Sequence, residues 1–153
     1  MEESRGGESR GGDFKLEIEK KIGHGGCSQV FLAKDTNTGE QFAVKKISPH
    51  WIKDEKRKEQ LQREIENHLL LDHPNIVKLY GHFEEDDTVS LVCEYIDGGD
   101  LHTLLTKTPN CKFQENQAGQ LVNGVCLALK YCHDQGIVHS DVKLENVLGN
   151  PFF

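Results

Sequence analysis

The sequence predicts an α+β fold in which a small antiparallel sheet with one inserted helix precedes a mostly helical segment. In the first two thirds of the chain, short apolar runs alternate with turns rich in glycine, aspartate and asparagine, which is typical of strands joined by tight connections. Further on, apolar residues recur at every third or fourth position, the period of a helix that buries one face. The 153 residues are enough for a packed core.

The expected strands number five, and they form a sheet lobe with one helix inserted after the third strand. Phe14, Leu16 and Ile18 alternate with charged residues, the pattern of a half-buried strand. The later strands are separated by turn residues, the last pair by the acidic segment 84–87. The five predicted strands lie near residues 14–22, 30–33, 42–45, 76–83 and 89–95.

Three helices are expected. In segment 51–71, Leu61, Ile65 and Leu69 recur at every fourth position, and the turn at 73–75 ends the helix. Asp100 is placed to cap a short helix that reaches about residue 106. A long helix is predicted over 114–135, followed by a glycine that suits a helix C-terminus.

Composition excludes several classes of function. The formal net charge of −7 argues against a general nucleic-acid-binding protein, which would present a basic face. No apolar run approaches the roughly 20 residues of a membrane helix, and the N-terminus lacks the apolar core of a secretory signal. Five cysteines without a C-x-x-C pair indicate reduced thiols in the cytoplasm or nucleus. We therefore expect neither a nucleic-acid nor a membrane partner.

The first twelve residues contain two consecutive copies of Glu-Ser-Arg-Gly-Gly. This repeat has no apolar side chain to bury, so we expect residues 1–12 to form a disordered tail.

A glycine cluster at 23–28 is the first motif that indicates chemistry: Gly23, Gly25 and Gly26 are followed by Ser28. A dinucleotide-binding turn or a P-loop would require a helix after the glycines, and here a strand follows. Two strands joined by glycines form a flexible hairpin whose N–H groups can cover phosphates. By itself, the cluster is equally compatible with a plain glycine turn.

Lys45 and Glu64 form a second candidate pair. Lys45 lies on the strand after the hairpin, where an ammonium could reach nucleotide phosphates, and Glu64 lies in the following helix, where a carboxylate could hold that ammonium. The alternative is that Lys45 is an ordinary surface lysine and Glu64 belongs to a solvated helix face.

The most specific motif is the segment 139–146, which combines three useful side chains. Asp141 can accept or orient a hydroxyl proton, Lys143 can neutralise a phosphoryl group in transfer, and Asn146 can ligate magnesium.

These motifs occur in the order and spacing of the protein kinase superfamily, which the chain resembles over residues 14–148. The Asp-Val-Lys form of the loop at 141–143 resembles serine/threonine kinases. The run at 76–81 and the Glu94-Tyr95 pair are similar to Aurora kinases and their relatives.

The resemblance implies a protein-kinase-like architecture, with a five-stranded N-lobe over 13–96 and a hinge exit with the first C-lobe helices over 97–153. It implies phosphoryl transfer from Mg-ATP to a Ser or Thr hydroxyl of a protein substrate, with ATP and Mg2+ as cofactors. A candidate further partner is a regulatory protein that binds the N-lobe.

The resemblance also assigns ATP-binding roles to individual residues. The backbone of Glu94 and Ile96 would contact adenine at the hinge, beside Cys93, and Asp100 would meet the ribose. The remaining ATP-binding residues are those that line the adenine pocket (Ile22, Val30, Ala43), those of the phosphate hairpin (Gly23, Gly25, Gly26, Ser28), and the pair that holds the phosphates (Lys45, Glu64).

Three departures from the family pattern affect these expectations. Ser28 replaces the third hairpin glycine, and Ser140 replaces the arginine that normally pairs with a phosphorylated activation loop. No Asp-Phe-Gly follows Asn146, so we expect an incomplete catalytic domain. The alternative function is a catalytically inactive ATP- or partner-binding module that modulates a full-length kinase.

Overall fold

The computed structural model describes residues 14–149, so the tail expected at 1–12 lies outside the described residues. The chain divides into two compact units. The sheet unit contains residues 14–70 and 78–95, and the helical unit contains residues 71–77 and 96–149. The short segment 71–77, which we had assigned to the first lobe, thus groups with the helices.

All five predicted strands form one antiparallel sheet with the order β1-β2-β3-β5-β4. The strand β4 begins three residues later than the sequence suggested, because Ile76 closes a turn by donating its N–H to the carbonyl of His73 at 3.0 Å. The strand bounds are Leu16–His24 (β1), Ser28–Asp35 (β2), Gln41–Ile47 (β3), Leu79–Glu85 (β4) and Thr88–Glu94 (β5).

The single helix predicted over 51–71 is in fact two helices, α1 (Pro49–Ile52) and α2 (Glu55–Leu70). Asp54 explains the break between them. Its carboxylate accepts a hydrogen bond from the Lys56 N–H at 3.1 Å, and its carbonyl accepts from the Lys58 N–H at 3.0 Å. This is the geometry of an N-terminal cap, so a new helix starts after Asp54 instead of continuing from α1.

The core of the sheet unit lies between α2 and one face of the sheet. Leu61 and Ile65 are the buried residues of α2, and they pack against residues from three strands. Trp51 of α1 packs against the edge of the same cluster. The strand residues of this cluster are Ile47, Leu79, Val89 and Leu91.

The other sheet face has its own apolar layer. Val44 and Val92 are fully buried there, and the ring of Phe42 makes edge-to-face contacts with Phe14 and Tyr80, with centroids 5.2 and 5.4 Å apart. Since β3 buries Phe42 and Val44 on one face and Ile47 on the other, this strand is fixed within the sheet.

The helical unit contains α3 (Leu101–Lys107) and α4 (Glu115–Asp134), with short 3-10 helices at Pro109–Cys111 and Leu144–Asn146. As expected from the sequence, Asp100 caps α3, and Gly136 follows α4 with a φ of +73°. The hydroxyl of Tyr131 in α4 accepts a hydrogen bond from the Asp72 N–H at 3.1 Å, which ties the segment 71–77 to this helix. Within residues 14–149, every helix is too short or too polar to span a bilayer.

Candidate functional site

The loop after α4 brings together the three residues that the sequence nominated for catalysis. The Lys143 ammonium lies 3.0 Å from Oδ2 of Asp141. The side-chain amide of Asn146 donates to the same Oδ2 at 3.0 Å and to the Asp141 carbonyl at 2.9 Å. The 3-10 turn that contains Asn146 produces this arrangement, because it folds the chain back towards Asp141.

The electrostatics of this loop keep Asp141 ionised. The hydrogen bonds from Lys143 and then Asn146 lower the pKa of its carboxyl below the ordinary aspartate value. The backbone N–H of Asp141 also donates to Nδ1 of His139 at 3.2 Å. The sequence analysis gave His139 no role, and only its spacing of two residues from Asp141 could have suggested this local contact.

The exposed carboxylate, ammonium and amide of this cluster suit chemistry on a bound phosphate ester. The carboxylate can accept a hydroxyl proton, the ammonium can offset phosphoryl charge, and Oδ1 of Asn146 is the kind of oxygen that magnesium takes as a ligand. Among residues 14–149, no group of three or more His, Cys, Asp and Glu side chains is arranged to hold a metal ion.

In the sheet unit, the glycine cluster forms the predicted strand-to-strand hairpin. Gly23 pairs with Val30, and the Gly25 N–H donates to the carbonyl of Ser28 at 2.8 Å. None of the three hairpin glycines has a positive φ, so backbone conformation does not require them. A Cβ at Gly26 would meet nothing within 4 Å, which leaves the backbone there open to approach by a ligand.

Lys45 and Glu64 line the same cavity of about 260 Å³ but do not pair. Lys45 shares a strand face with Ile47, which α2 covers, and therefore points to the α2 side of the sheet. No ion pair joins the two side chains in the described part of the chain. Instead, Oε1 of Glu64 accepts a hydrogen bond from the Gln60 side chain at 2.8 Å. Sequence reasoning missed Gln60, although its spacing of four residues from Glu64 is the signal for such a contact.

Only some of the residues assigned to the adenine pocket lie on the same face of the sheet. Val30 lies opposite Lys45, and Ala43 lies opposite Cys93, so both share the strand face of Lys45. Ile22 lies at a bulge in β1 and is 41% exposed. Burial raises the pKa of the Cys93 thiol to about 11, an effect that the charge of Lys45 only partly offsets.

Glu94 and Asp100 make local hydrogen bonds that their proposed roles did not predict. The Glu94 N–H donates to the Lys78 carbonyl at 2.9 Å, and its carboxylate accepts from the Lys78 N–H at 3.1 Å. Both carboxylate oxygens of Asp100 accept hydrogen bonds from Thr103, each at 2.8 Å. Burial alone would raise the pKa of Asp100, but these bonds outweigh it and lower the pKa. Ile96 is half-buried in the helical unit.

The chain is similar to several named protein kinases. A serine/threonine-protein kinase of Arabidopsis thaliana is 43% identical over 136 residues, which cover 89% of this chain and 23% of that protein. An Aurora kinase of Encephalitozoon cuniculi (strain GB-M1) is 36% identical over 134 residues, covering 88% of this chain and 49% of the relative. CBL-interacting protein kinase 9 of Oryza sativa subsp. japonica is 34% identical over 134 residues, covering 88% and 29%.

The chain therefore spans about a quarter to a half of the length of these relatives. Residues 16–151 match the family described as the protein kinase domain. The five-stranded sheet followed by helices corresponds to the N-lobe and the start of the C-lobe of that domain. The chain belongs to the protein kinase family.

Proposed function

We propose that this chain is part of a serine/threonine protein kinase that transfers the γ-phosphoryl group of Mg-ATP to a hydroxyl of a protein substrate. The cluster of Asp141, Lys143 and Asn146 carries the proposal, because it places a proton acceptor, a cation and a metal ligand within 3.0 Å contacts. In the transfer, the substrate oxygen bonds to the phosphorus, the bond to ADP breaks, and Asp141 takes the hydroxyl proton.

ATP binding is assigned chiefly to residues of the sheet unit, with Ile96 and Asp100 from the helical unit. The hairpin at 23–28 offers open backbone at Gly26, and Lys45 supplies a cation at the nearby cavity. Bound magnesium would neutralise phosphate charge, and Asn146 would supply one of its ligands. The roles of Ile22, Val30, Ala43, Glu94, Ile96 and Asp100 towards adenine and ribose remain part of this proposal.

The assignments of substrate specificity, subfamily, regulatory partner and localisation are also proposals. Specificity for Ser and Thr is supported by the Asp-Val-Lys sequence of the loop and by the relatives' names. The Aurora-like assignment stays a prediction, because relatives with other names match at 34% and 43% identity beside the Aurora kinase at 36%. We further propose a regulatory partner on the N-lobe and residence in the cytoplasm or nucleus, which five free cysteines favour.

Substitution of Asp141 tests the transfer reaction. In the protein isolated at its natural length, Asp141→Ala should lower phosphorylation of a protein substrate by about 10²- to 10⁴-fold, the usual loss for a catalytic acid or base. Asp134→Ala is the matched control, since Asp134 is about as exposed as Asp141 and likewise contacts a lysine, Lys130, at 2.6 Å on α4. Wild-type rates for Asp141→Ala would refute the assigned catalytic role.

Thermal unfolding with and without Mg-ATP tests nucleotide binding by the chain itself. Ligand at about 100 times its Kd should add roughly 2.7 kcal/mol of stability. Lys45→Met should reduce this gain, whereas Lys46→Met should not, because Lys46 lies on the other sheet face, 5.7 Å from the Phe31 ring centroid. Stabilisation without any phosphoryl transfer would favour the alternative of an inactive binding module.

A further inference from the structure

Helix α2 carries two hydrogen-bonded glutamine–glutamate pairs of the same type. Gln60 donates to Glu64, and Gln62 donates to Glu66, in both cases at 2.8 Å and with a spacing of four residues. Both pairs are exposed. They differ in what surrounds them, because only Gln60 and Glu64 line the cavity that Lys45 also lines.

Within that cavity, the two groups that could form an ion pair have other neighbours. The hydrogen bond to Gln60 directs the Glu64 carboxylate along α2 towards the preceding helical turn, which is also the direction that helical side chains favour. The charge of Lys45 acts on the Cys93 thiol, whose pKa it lowers against the larger effect of burial. Lys45 and Glu64 are not within 4.0 Å of each other anywhere in the described structure.

We propose that Gln60 is a positioning residue that holds the Glu64 carboxylate away from Lys45, so that the pair forms only when this hydrogen bond opens. The equilibrium lies between two contacts of one carboxylate, Gln60–Glu64 along the helix and Lys45–Glu64 across the cavity. Because the bond from Gln60 to Oε1 holds the carboxylate along the helix, losing the first contact favours the second. Any effect of the Lys45–Glu64 pair on nucleotide affinity rests on the proposed kinase function, whereas the competition between the two contacts does not.

The expected bias is small and measurable. Side-chain pairs spaced by four residues on exposed helices contribute about 0.2–0.5 kcal/mol, which corresponds to a change of about 1.4- to 2.3-fold in the ratio of the two states. Alanine is a better helix former than glutamine, so Gln60→Ala should not disturb α2.

Competitive acetylation of lysines in the nucleotide-free chain measures the pairing directly. Only the neutral amine reacts, and an ion pair with Glu64 favours the charged form of Lys45. In Gln60→Ala, acetylation of Lys45, read by peptide mass spectrometry relative to Lys34, should slow by up to about 1.7-fold, because the unpaired state prevails before the substitution. Gln62→Ala, the matched control, should leave it at the wild-type rate.

A variant that lacks the Glu64 charge tests whether any slowing of Lys45 acetylation arises through Glu64. In Glu64→Gln, adding Gln60→Ala should produce no further change in Lys45 acetylation. The proposal is overturned if Gln60→Ala labels Lys45 at the wild-type rate, or if its effect persists when Glu64 is replaced by glutamine.

Mg-ATP stabilisation of the unsubstituted chain is measured separately, which distinguishes the two proposals. The expected labelling pattern without ATP stabilisation would retain the role of Gln60 and reject the nucleotide site. Unchanged labelling of Lys45 with clear stabilisation by Mg-ATP would reject the role of Gln60 and retain the nucleotide site.

Discussion

Replacement of Ile65 by alanine tests whether α2 is held to the sheet as the structure shows. Ile65 is 3% exposed and packs in a cluster with Leu61 and residues of three strands. The substitution removes three side-chain carbons from this cluster. Since it leaves the backbone and the exposed Glu64 in place, the expected effect is on the stability of the sheet unit.

The expected loss of stability follows from the burial of Ile65 and from the empty space around its side chain. Three buried carbons at about 0.8 kcal/mol each give about 2.4 kcal/mol for transfer alone. Alanine substitutions of buried isoleucine usually cost about 2–5 kcal/mol, the higher values arising where the cavity cannot collapse. Ile65 borders two cavities already, of about 200 and 260 Å³. Because the side chain already borders empty space, its truncation removes fewer packing contacts than in a filled core. We therefore expect the free energy of unfolding to fall by about 2–3 kcal/mol.

Trp51 provides the assay, since it is the single tryptophan of the chain and packs against the same cluster. Its fluorescence during urea unfolding reports on the sheet unit. With a slope of roughly 1–3 kcal/mol per M, the midpoint of Ile65→Ala should fall by about 0.7–3 M. Leu70→Ala on the same helix is the control, because Leu70 is 77% exposed and should cost little. Equal midpoints for the two variants would refute the packing argument.

Two further predictions concern Asp100 and Cys93. Asp100→Ala should destabilise the helical unit by about 0.5–2 kcal/mol through loss of the cap on α3, as measured by circular dichroism. Because the folded pKa of Asp100 is lowered, the part of this contribution that depends on the charged carboxylate is complete above about pH 4 and should be lost as the pH falls through the folded pKa; a difference that stays the same in acid would contradict it. With a pKa of about 11, roughly one Cys93 thiol in a thousand is ionised at pH 8, so alkylation there should modify the exposed Cys111 and Cys126 first. Equal labelling of all three would be inconsistent with the raised pKa of Cys93.

The sheet could be predicted from the sequence because its signals are local. Alternating apolar residues and tight turns place each strand within a few residues, and a meander needs no long connection. The break between α1 and α2 was missed for a different reason. The apolar positions Leu61, Ile65 and Leu69 continue one helical period, but that period says nothing about where the helix starts. A single cap at Asp54 decides the start.

The candidate site likewise has one part that the sequence predicts and one part that it does not. Asp141, Lys143 and Asn146 lie within six residues, so one turn of backbone brings them together and their spacing alone predicts the cluster. Lys45 and Glu64 lie on different elements, and the fold places both at one cavity. Whether they touch depends on side-chain rotamers, which respond to a neighbour such as Gln60. The sequence could therefore predict that Lys45 and Glu64 belong to one site, but not whether their side chains form an ion pair.

The charge state of Asp141 limits the chemistry that the proposed site can perform. Hydrogen bonds from Lys143 and Asn146 lower the pKa of its carboxyl, so the group is ionised at neutral pH and remains so in mild acid. A carboxylate of such low basicity cannot abstract a proton from a free serine or threonine hydroxyl to any useful extent. Its proposed contribution is instead to orient the hydroxyl and to accept the proton late, as a loose phosphoryl-transfer transition state permits. Phosphoryl transfer should consequently show no loss attributable to Asp141 until the pH falls below the ordinary aspartate range.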